Sequence, residues 1–238
     1  MPTLAALFAH HDDETFATGA TLARCAAARV PTALYVATDG DAGRSSGVAV
    51  VSREELGALR RAELAAACAV LGIGVVRHGG HPDGALAGVD PDRLTGELVD
   101  FLREHRPDVV ITFGPEGAPT GHRDHVAISR AATAAFFLAG LASAYPGARP
   151  AHRARRLYYA SWDPPMPSGN VHQAGLPVAA RIDARPWLDT KRRAFAAHRT
   201  QHVHREQFEA TLRDDEAFAL ASGAQPRAVV ADLFEGLD

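Results

Sequence analysis

The stretch Thr3-Leu4-Ala5-Ala6-Leu7-Phe8-Ala9-His10-His11-Asp12-Asp13-Glu14 decides the fold. Its first half is an apolar run of strand length, and its second is five polar residues in succession. Over residues 15–29 apolar side chains return at helical spacing, and Thr32–Thr38 is a second apolar run rich in strand formers. Strand, helix and strand in that order make a βαβ unit, which joins parallel strands by a right-handed crossover.

The alternation continues outward. Ser52 followed by Glu55 has the form of a capping box, opening a helix that runs to Leu71, where Gly72 supplies a stop. A third strand is expected to begin near Val75. Residues 94–104 read as a helix broken by Pro107, and 108–113 as a buried strand rich in β-branched residues. Further on, 126–141 is a long Ala-rich helix, 156–162 a strand, and Pro186 introduces a helix through Ala197. Residues 205–220 read as a final helix. This order predicts an α/β fold with a mainly parallel sheet and helices on both faces. The length of 238 residues, with no linker-like segment, suits a single domain over 1–238.

Apolar residues make up 47% and charged residues 22%, and no apolar run reaches the roughly 18 residues of a membrane span. The N-terminal residues carry no basic leader, which predicts a cytoplasmic protein. A net charge of −3 and the lack of a basic block argue against a nucleic-acid partner. Cys25 and Cys68 fall in Ala-rich helical stretches and read as buried apolar packing. Oligomeric state is left open, a homo-oligomer included.

Two segments carry the chemistry: His10-His11-Asp12-Asp13-Glu14 directly after the first strand, and His122-Arg123-Asp124-His125 near the start of the long helix. Ligands in open α/β sheets bind beyond the carboxyl ends of strands, where both segments fall. A hydrolytic zinc site needs three imidazole or carboxylate ligands and an open position, and His10, Asp13 and His125 are able to supply that set. The Gly/Pro-rich segments 40–47, 79–88, 114–121 and 164–175 are candidate walls of one cavity. A dinucleotide-binding module is disfavoured, because the first strand is not followed by Gly-x-Gly-x-x-Gly.

Taken in order, Ala9-His10-His11-Asp12-Asp13-Glu14, Thr38-Asp39-Gly40-Asp41-Ala42-Gly43, Arg60-Arg61-Ala62-Glu63 and His122-Arg123-Asp124-His125 resemble the PIG-L/LmbE-like deacetylase family. Lys191, His198 and Gln201 extend the likeness over most of the chain. The resemblance implies a Rossmann-like fold and removal of an N-acetyl group from an N-acetylglucosamine-type substrate by metal-activated water. The partner is then a small N-acylated amino-sugar conjugate, such as the glycolipid or low-molecular-weight thiol precursors on which relatives act. It implies His10, Asp13 and His125 as ligands of Zn2+, with Fe2+ or another divalent ion as the cellular alternative.

The same resemblance makes Asp12 the general base toward the attacking water, His122 the group that assists the tetrahedral intermediate, and Asp124 the residue that orients His122. Arg60, Asp83 and His198 become candidate substrate contacts. Beside these stand plain readings: Arg60 as a solvated helix residue, and Pro82-Asp83-Gly84 as an ordinary turn. His198, His202 and His204 form a cluster that reads as solvated surface rather than a second metal site, His198 being the one with a pocket role. His11 departs from the family, which has proline there. It stands as a tolerated loop residue, a substrate-facing group or a competing ligand, and it opens the alternative of a catalytically weakened sugar- or metal-binding protein.

Overall fold

The first strand, β1 (Leu4–Phe8), is apolar throughout because all five residues are buried, as in a central strand covered on both faces. It pairs in parallel with β2 (Thr32–Thr38) on one side and β4 (Val109–Phe113) on the other. Beyond them, β3 (Val75–His81) lies parallel to β2 and β5 (Arg156–Ser161) parallel to β4. At the far edge β7 (Asp215–Ser222) runs antiparallel to both β5 and β6 (Val178–Asp183). The computed structural model describes residues 2–45, 52–117, 119–163 and 176–237. In it the seven strands form one sheet, in the order β3-β2-β1-β4-β5-β7-β6.

Helices cover both faces, as expected. On one side α1 (Asp13–Ala27), α2 (Arg53–Leu71) and α5 (Leu188–Ala197) pack together, and on the other α3 (Pro91–His105) packs on α4 (Arg123–Leu138). The Ser52 hydroxyl accepts from the Glu55 amide at 3.1 Å, and Gly72 ends α2 with φ +73, so both predicted boundaries of that helix hold. Helix α4 starts three residues earlier than its apolar pattern suggests, which makes His122 its N-cap and places His125 in its first turn. Cys25 and Cys68 are buried and unpaired.

Two features of the last third were misread. The expected helix over 205–220 is instead a short helix α6 (Arg205–Thr211) followed by β7, and β6 had no counterpart in the sequence reading. Alanine favours helix, and both strands are Ala-rich, but β7 lies between β5 and β6 and gains a ladder on each side. Tertiary pairing overrides propensity there. No helix among the described residues is long and apolar enough to cross a membrane.

Strand order reverses between β1 and β4: the chain leaves β1 toward β2 and β3, then crosses back to β4 on the other side. The diverging connections open a crevice beyond the carboxyl ends of β1 and β4. Residues His10–Asp13 leave β1 at that point, and residues 122–125 follow β4 into it.

Candidate active site

The loop after β1 is tied from below. The Thr38 hydroxyl donates to the Ala9 carbonyl at 2.9 Å, and the Thr112 hydroxyl to the Leu7 carbonyl at 2.8 Å. One carboxylate oxygen of Asp13, Oδ2, accepts from the amides of Ala9 and His10 at 3.1 and 2.8 Å. Its other oxygen is left for a different partner. Asp12 is the N-cap of α1 with φ 131, a conformation that costs a residue with a side chain about 1–3 kcal/mol and tends to mark functional positions.

Arg60 fastens this loop to the next. Its guanidinium donates to the carbonyls of His11 and Gly40, the latter at 3.1 Å, and lies 3.7 Å from both Asp12 Oδ1 and Asp83 Oδ2. A Cβ on Gly40 would sit 2.8 Å from Arg60 Nη1, and one on Gly43 would strike the same atom. The two glycines of Thr-x-Gly-x-x-Gly therefore make room for the arginine of Arg-x-x-Glu. Glu63, the last residue of that second motif, accepts from the amide and hydroxyl of Thr200 at 3.0 and 2.7 Å.

His10, Asp13 and His125 converge as the sequence predicted. His10 Nδ1 lies 3.2 Å from His125 Nε2 and 3.5 Å from Asp13 Oδ2, while His125 Nε2 lies 3.3 Å from Asp13 Oδ1. Two imidazole nitrogens and a carboxylate so close, all buried, form a group fit to hold a metal ion. The far nitrogen of His10, Nε2, faces Asp124 Oδ2 and Asp83 Oδ1, each at 3.3 Å. Donating there leaves Nδ1 as a lone-pair donor toward the shared point, the usual arrangement of a metal-binding histidine backed by a carboxylate.

Charge in the cluster favours a cation. Burial pushes the His10 imidazole toward neutrality, but its bonds to Asp124, Asp13 and Asp83 outweigh this and hold its pKa well above the ordinary value. Burial also disfavours the Asp13 carboxylate, yet His125 and His10 keep it far below the usual carboxylate range. At Asp12 burial prevails over the pull of Arg60, and the carboxyl is pushed up to about 6.

A cavity of about 530 Å³ opens over the cluster, lined among others by Asp12, Arg60, Asp83, His122, Trp162 and Gln201. His122 sits edge-on to His10, with ring centroids 4.7 Å apart. Its Nδ1 accepts from the Asp124 amide at 3.2 Å, so Nε2 carries the ring proton of the neutral form. Burial, with the charges of His10 and His125, lowers its pKa. One wall is aromatic: Phe113 stacks on His125 at 4.1 Å and on Trp162 at 6.3 Å. Trp162 follows β5 at the same sheet edge and was missed, although a tryptophan at a strand exit is a usable signal. Of the predicted walls, the first three contribute Gly43, Asp83 and Thr120 to the cavity, and 164–175 lies outside the described residues.

Two expectations need correction. Asp124 does not orient His122 through its carboxylate, which instead meets His10 and accepts from the amides of Gly84 and Leu86 at 2.8 and 3.0 Å. His198 is not a substrate contact: its side chain is fully buried behind the loop, 2.8 Å from Glu14. His11 is buried against His78, 3.3 Å away, and does not line the cavity, which fits its reading as a tolerated loop residue rather than a substrate-facing group or competing ligand. Arg60 and Asp83 do line the cavity, but Arg60 directs its charge at the protein's own loops.

Comparison with known proteins places the chain among relatives of one family. The family described as PIG-L, GlcNAc-PI de-N-acetylase, matches residues 5–136. A "1D-myo-inositol 2-acetamido-2-deoxy-alpha-D-glucopyranoside deacetylase" of Rhodococcus jostii is 33% identical over 81% of this chain and 79% of its own length. The conserved protein TT1542 from Thermus thermophilus superposes with a TM-score of 0.75 at 30% identity, covering 95% of this chain and 97% of its own. GalB, a 4-carboxy-2-hydroxymuconate hydratase from Pseudomonas putida, superposes with a TM-score of 0.74 over 96% of this chain and 100% of its own, but at 16% identity it shares the fold alone. With the family match running through both the loop after β1 and the start of α4, and a 33% identical relative over most of its length, the chain belongs to the PIG-L family of de-N-acetylases.

Proposed function

We propose that this protein hydrolyses the acetamide of an N-acetylglucosamine joined to an inositol-type aglycone, releasing acetate and a free amine, with a divalent cation, zinc by its donor set, held by His10, Asp13 and His125. The observation that carries the reading is the convergence of His10 Nδ1, His125 Nε2 and the Asp13 carboxylate on one point at the floor of the cavity. A cation bound there supplies Lewis acidity toward the amide carbonyl and lowers the pKa of water.

The chain's own residues do the rest. Asp12, on the cavity wall beside the three converging side chains, takes a proton from the attacking water and hands it on to the leaving nitrogen. Its strained backbone fixes where that carboxylate stands. His122 carries its proton on Nε2 and donates toward the oxygen that becomes negative as water adds to the carbonyl carbon. Asp124 and Asp83 hold His10 in the tautomer that leaves Nδ1 free. Cleavage of the C–N bond, with the proton delivered to nitrogen, yields acetate and the amine. Trp162 and Phe113 offer the sugar an apolar face, and Asp83 offers its hydroxyls an acceptor. Since His11 stays outside the cavity, its replacement of proline gives no support to a weakened, non-catalytic reading.

The test is acetate release from N-acetylglucosaminyl-inositol by zinc-loaded protein, beside Asp12→Ala. That variant should keep its zinc and lose turnover by about 10²–10⁴-fold, the range for a general base. Wild-type turnover in Asp12→Ala would remove Asp12 from the role, and full turnover after chelation would remove the metal.

A further inference from the structure

Glu14 and His198 lie 184 positions apart, yet their side chains meet at 2.8 Å with both fully buried. Neither lines the cavity. The link to the chemistry is Asp12: Glu14 Oε2 accepts from the Asp12 amide at 3.0 Å, while Oε1 faces His198 Nε2 and accepts from the Thr15 hydroxyl at 2.5 Å. Both oxygens of one carboxylate are thus assigned, one to His198 and one to the backbone of the residue at φ 131.

Without His198, Oε1 would keep only the hydroxyl of Thr15, its own chain neighbour, and a buried carboxylate that has lost one of its donors is held less firmly. The acceptor of the Asp12 amide would then no longer be fixed from outside its own loop. His198 prevents this and is itself well placed: its own amide donates to the Phe195 carbonyl at the end of α5, and Thr200, two residues on, is clamped by Glu63 of α2. The line from α5 through His198 and Glu14 ends on the Asp12 backbone.

We infer that His198 is a positioning residue for the general base, holding Asp12 through Glu14 in the strained conformation that presents its carboxylate to the cavity. This rests on the reading of Asp12 as base and gives His198 a role other than substrate contact. A residue that acts through Asp12 matters to turnover only when Asp12 is present.

The experiment is a double-mutant cycle on zinc-loaded enzyme with N-acetylglucosaminyl-inositol, zinc content being measured in each variant. His198→Leu is expected to lower kcat about tenfold or more, with KM within about twofold and zinc retained. His198→Gln, whose amide still donates to Glu14, should recover most of that loss. In an Asp12→Ala background, adding His198→Leu should change the residual rate by less than about twofold. Equal losses in the two backgrounds would mean that His198 acts by general packing. A raised KM with unchanged kcat would make it a substrate contact, and a glutamine variant no better than leucine would deny the hydrogen bond; each overturns the inference. If His198→Leu does not fold, Glu14→Leu removes the acceptor of the Asp12 amide and must show the same dependence on Asp12. Failure of Asp12→Ala alone to lose turnover would refute the base assignment instead, so the two failures are distinct.

Discussion

At the scale of single residues, the motifs work as pairs that the chain order conceals. Gly40 and Gly43 sit beside Arg60 because nothing larger fits there, and Arg60 in turn holds the carbonyls of His11, in the loop after β1, and of Gly40. Gly40→Ala would set a Cβ 2.8 Å from Arg60 Nη1 at φ +65, a left-handed conformation that costs about 1–2 kcal/mol for a residue with a side chain. The variant should melt at lower temperature and lose about tenfold or more in kcat/KM, since a misplaced catalytic loop is costly even without loss of chemistry. Parent-like kinetics and melting would show that Arg60 does not need that seat. That His10, Asp13 and His125 would come together was legible in the sequence because ligand-type residues stand at the exit of β1 and at the start of the helix after β4. The partners behind the ligands were not: Asp124 lies two residues from His122 but spends its carboxylate on His10, and a motif does not reveal that His198 points into the core.

At the scale of elements, the C-terminal segment acts as a clamp on α1. Lys191 of α5 donates to the Phe16 carbonyl at 3.1 Å and to Glu216 of β7 at 2.6 Å, while Glu216 accepts from the Ala20 and Thr21 amides of α1. Glu216→Ala leaves the buried Lys191 ammonium without its counter-charge and should cost about 3–5 kcal/mol in urea denaturation. A loss below about 1 kcal/mol would mean that the segment is not clamped through this pair. The Glu14–His198 pair adds a pH-dependent part. Burial lowers the His198 pKa, but the charge of Glu14 and the hydrogen bond to it prevail, and the net shift is upward from 6.5. A histidine that holds its proton more tightly when folded contributes stability in full below pH 6.5 and loses it as pH climbs through the raised value. The difference in melting temperature between the parent and His198→Gln should therefore be widest in acid and shrink toward alkaline pH; a constant difference would contradict it. The opening βαβ and the capped α2 were legible because local spacing and caps agree with the fold. β6 and β7 were hidden because Ala-rich strands carry no period that separates them from helix, and only their neighbours in the sheet decide.

At the scale of the molecule, the sheet explains why a site can form but not which chemistry it hosts, since a hydratase shares the architecture. In this chain charge gathers at the switch point. Asp13, Asp83 and Asp124 face His10, Asp13 faces His125 as well, and the segments that carry them come from β1, β3 and the start of α4. Carboxylates drawn together from three segments repel one another unless a positive charge lies among them. A divalent ion that binds only the folded arrangement stabilises it by mass action, about 4 kcal/mol at a thousandfold excess over Kd. For a chain of this size that corresponds to a melting shift on the order of 10 °C. Zinc-loaded protein should accordingly melt well above chelator-treated protein, with activity and melting temperature both restored when zinc is returned. His125→Ala, which removes one donor and leaves the carboxylates in place, should melt at one temperature whether or not zinc is present. A parent protein indifferent to the chelator, or a His125→Ala protein still stabilised by zinc to the full extent, would mean that the ion sits elsewhere and that the converging side chains at the switch point do not bind it.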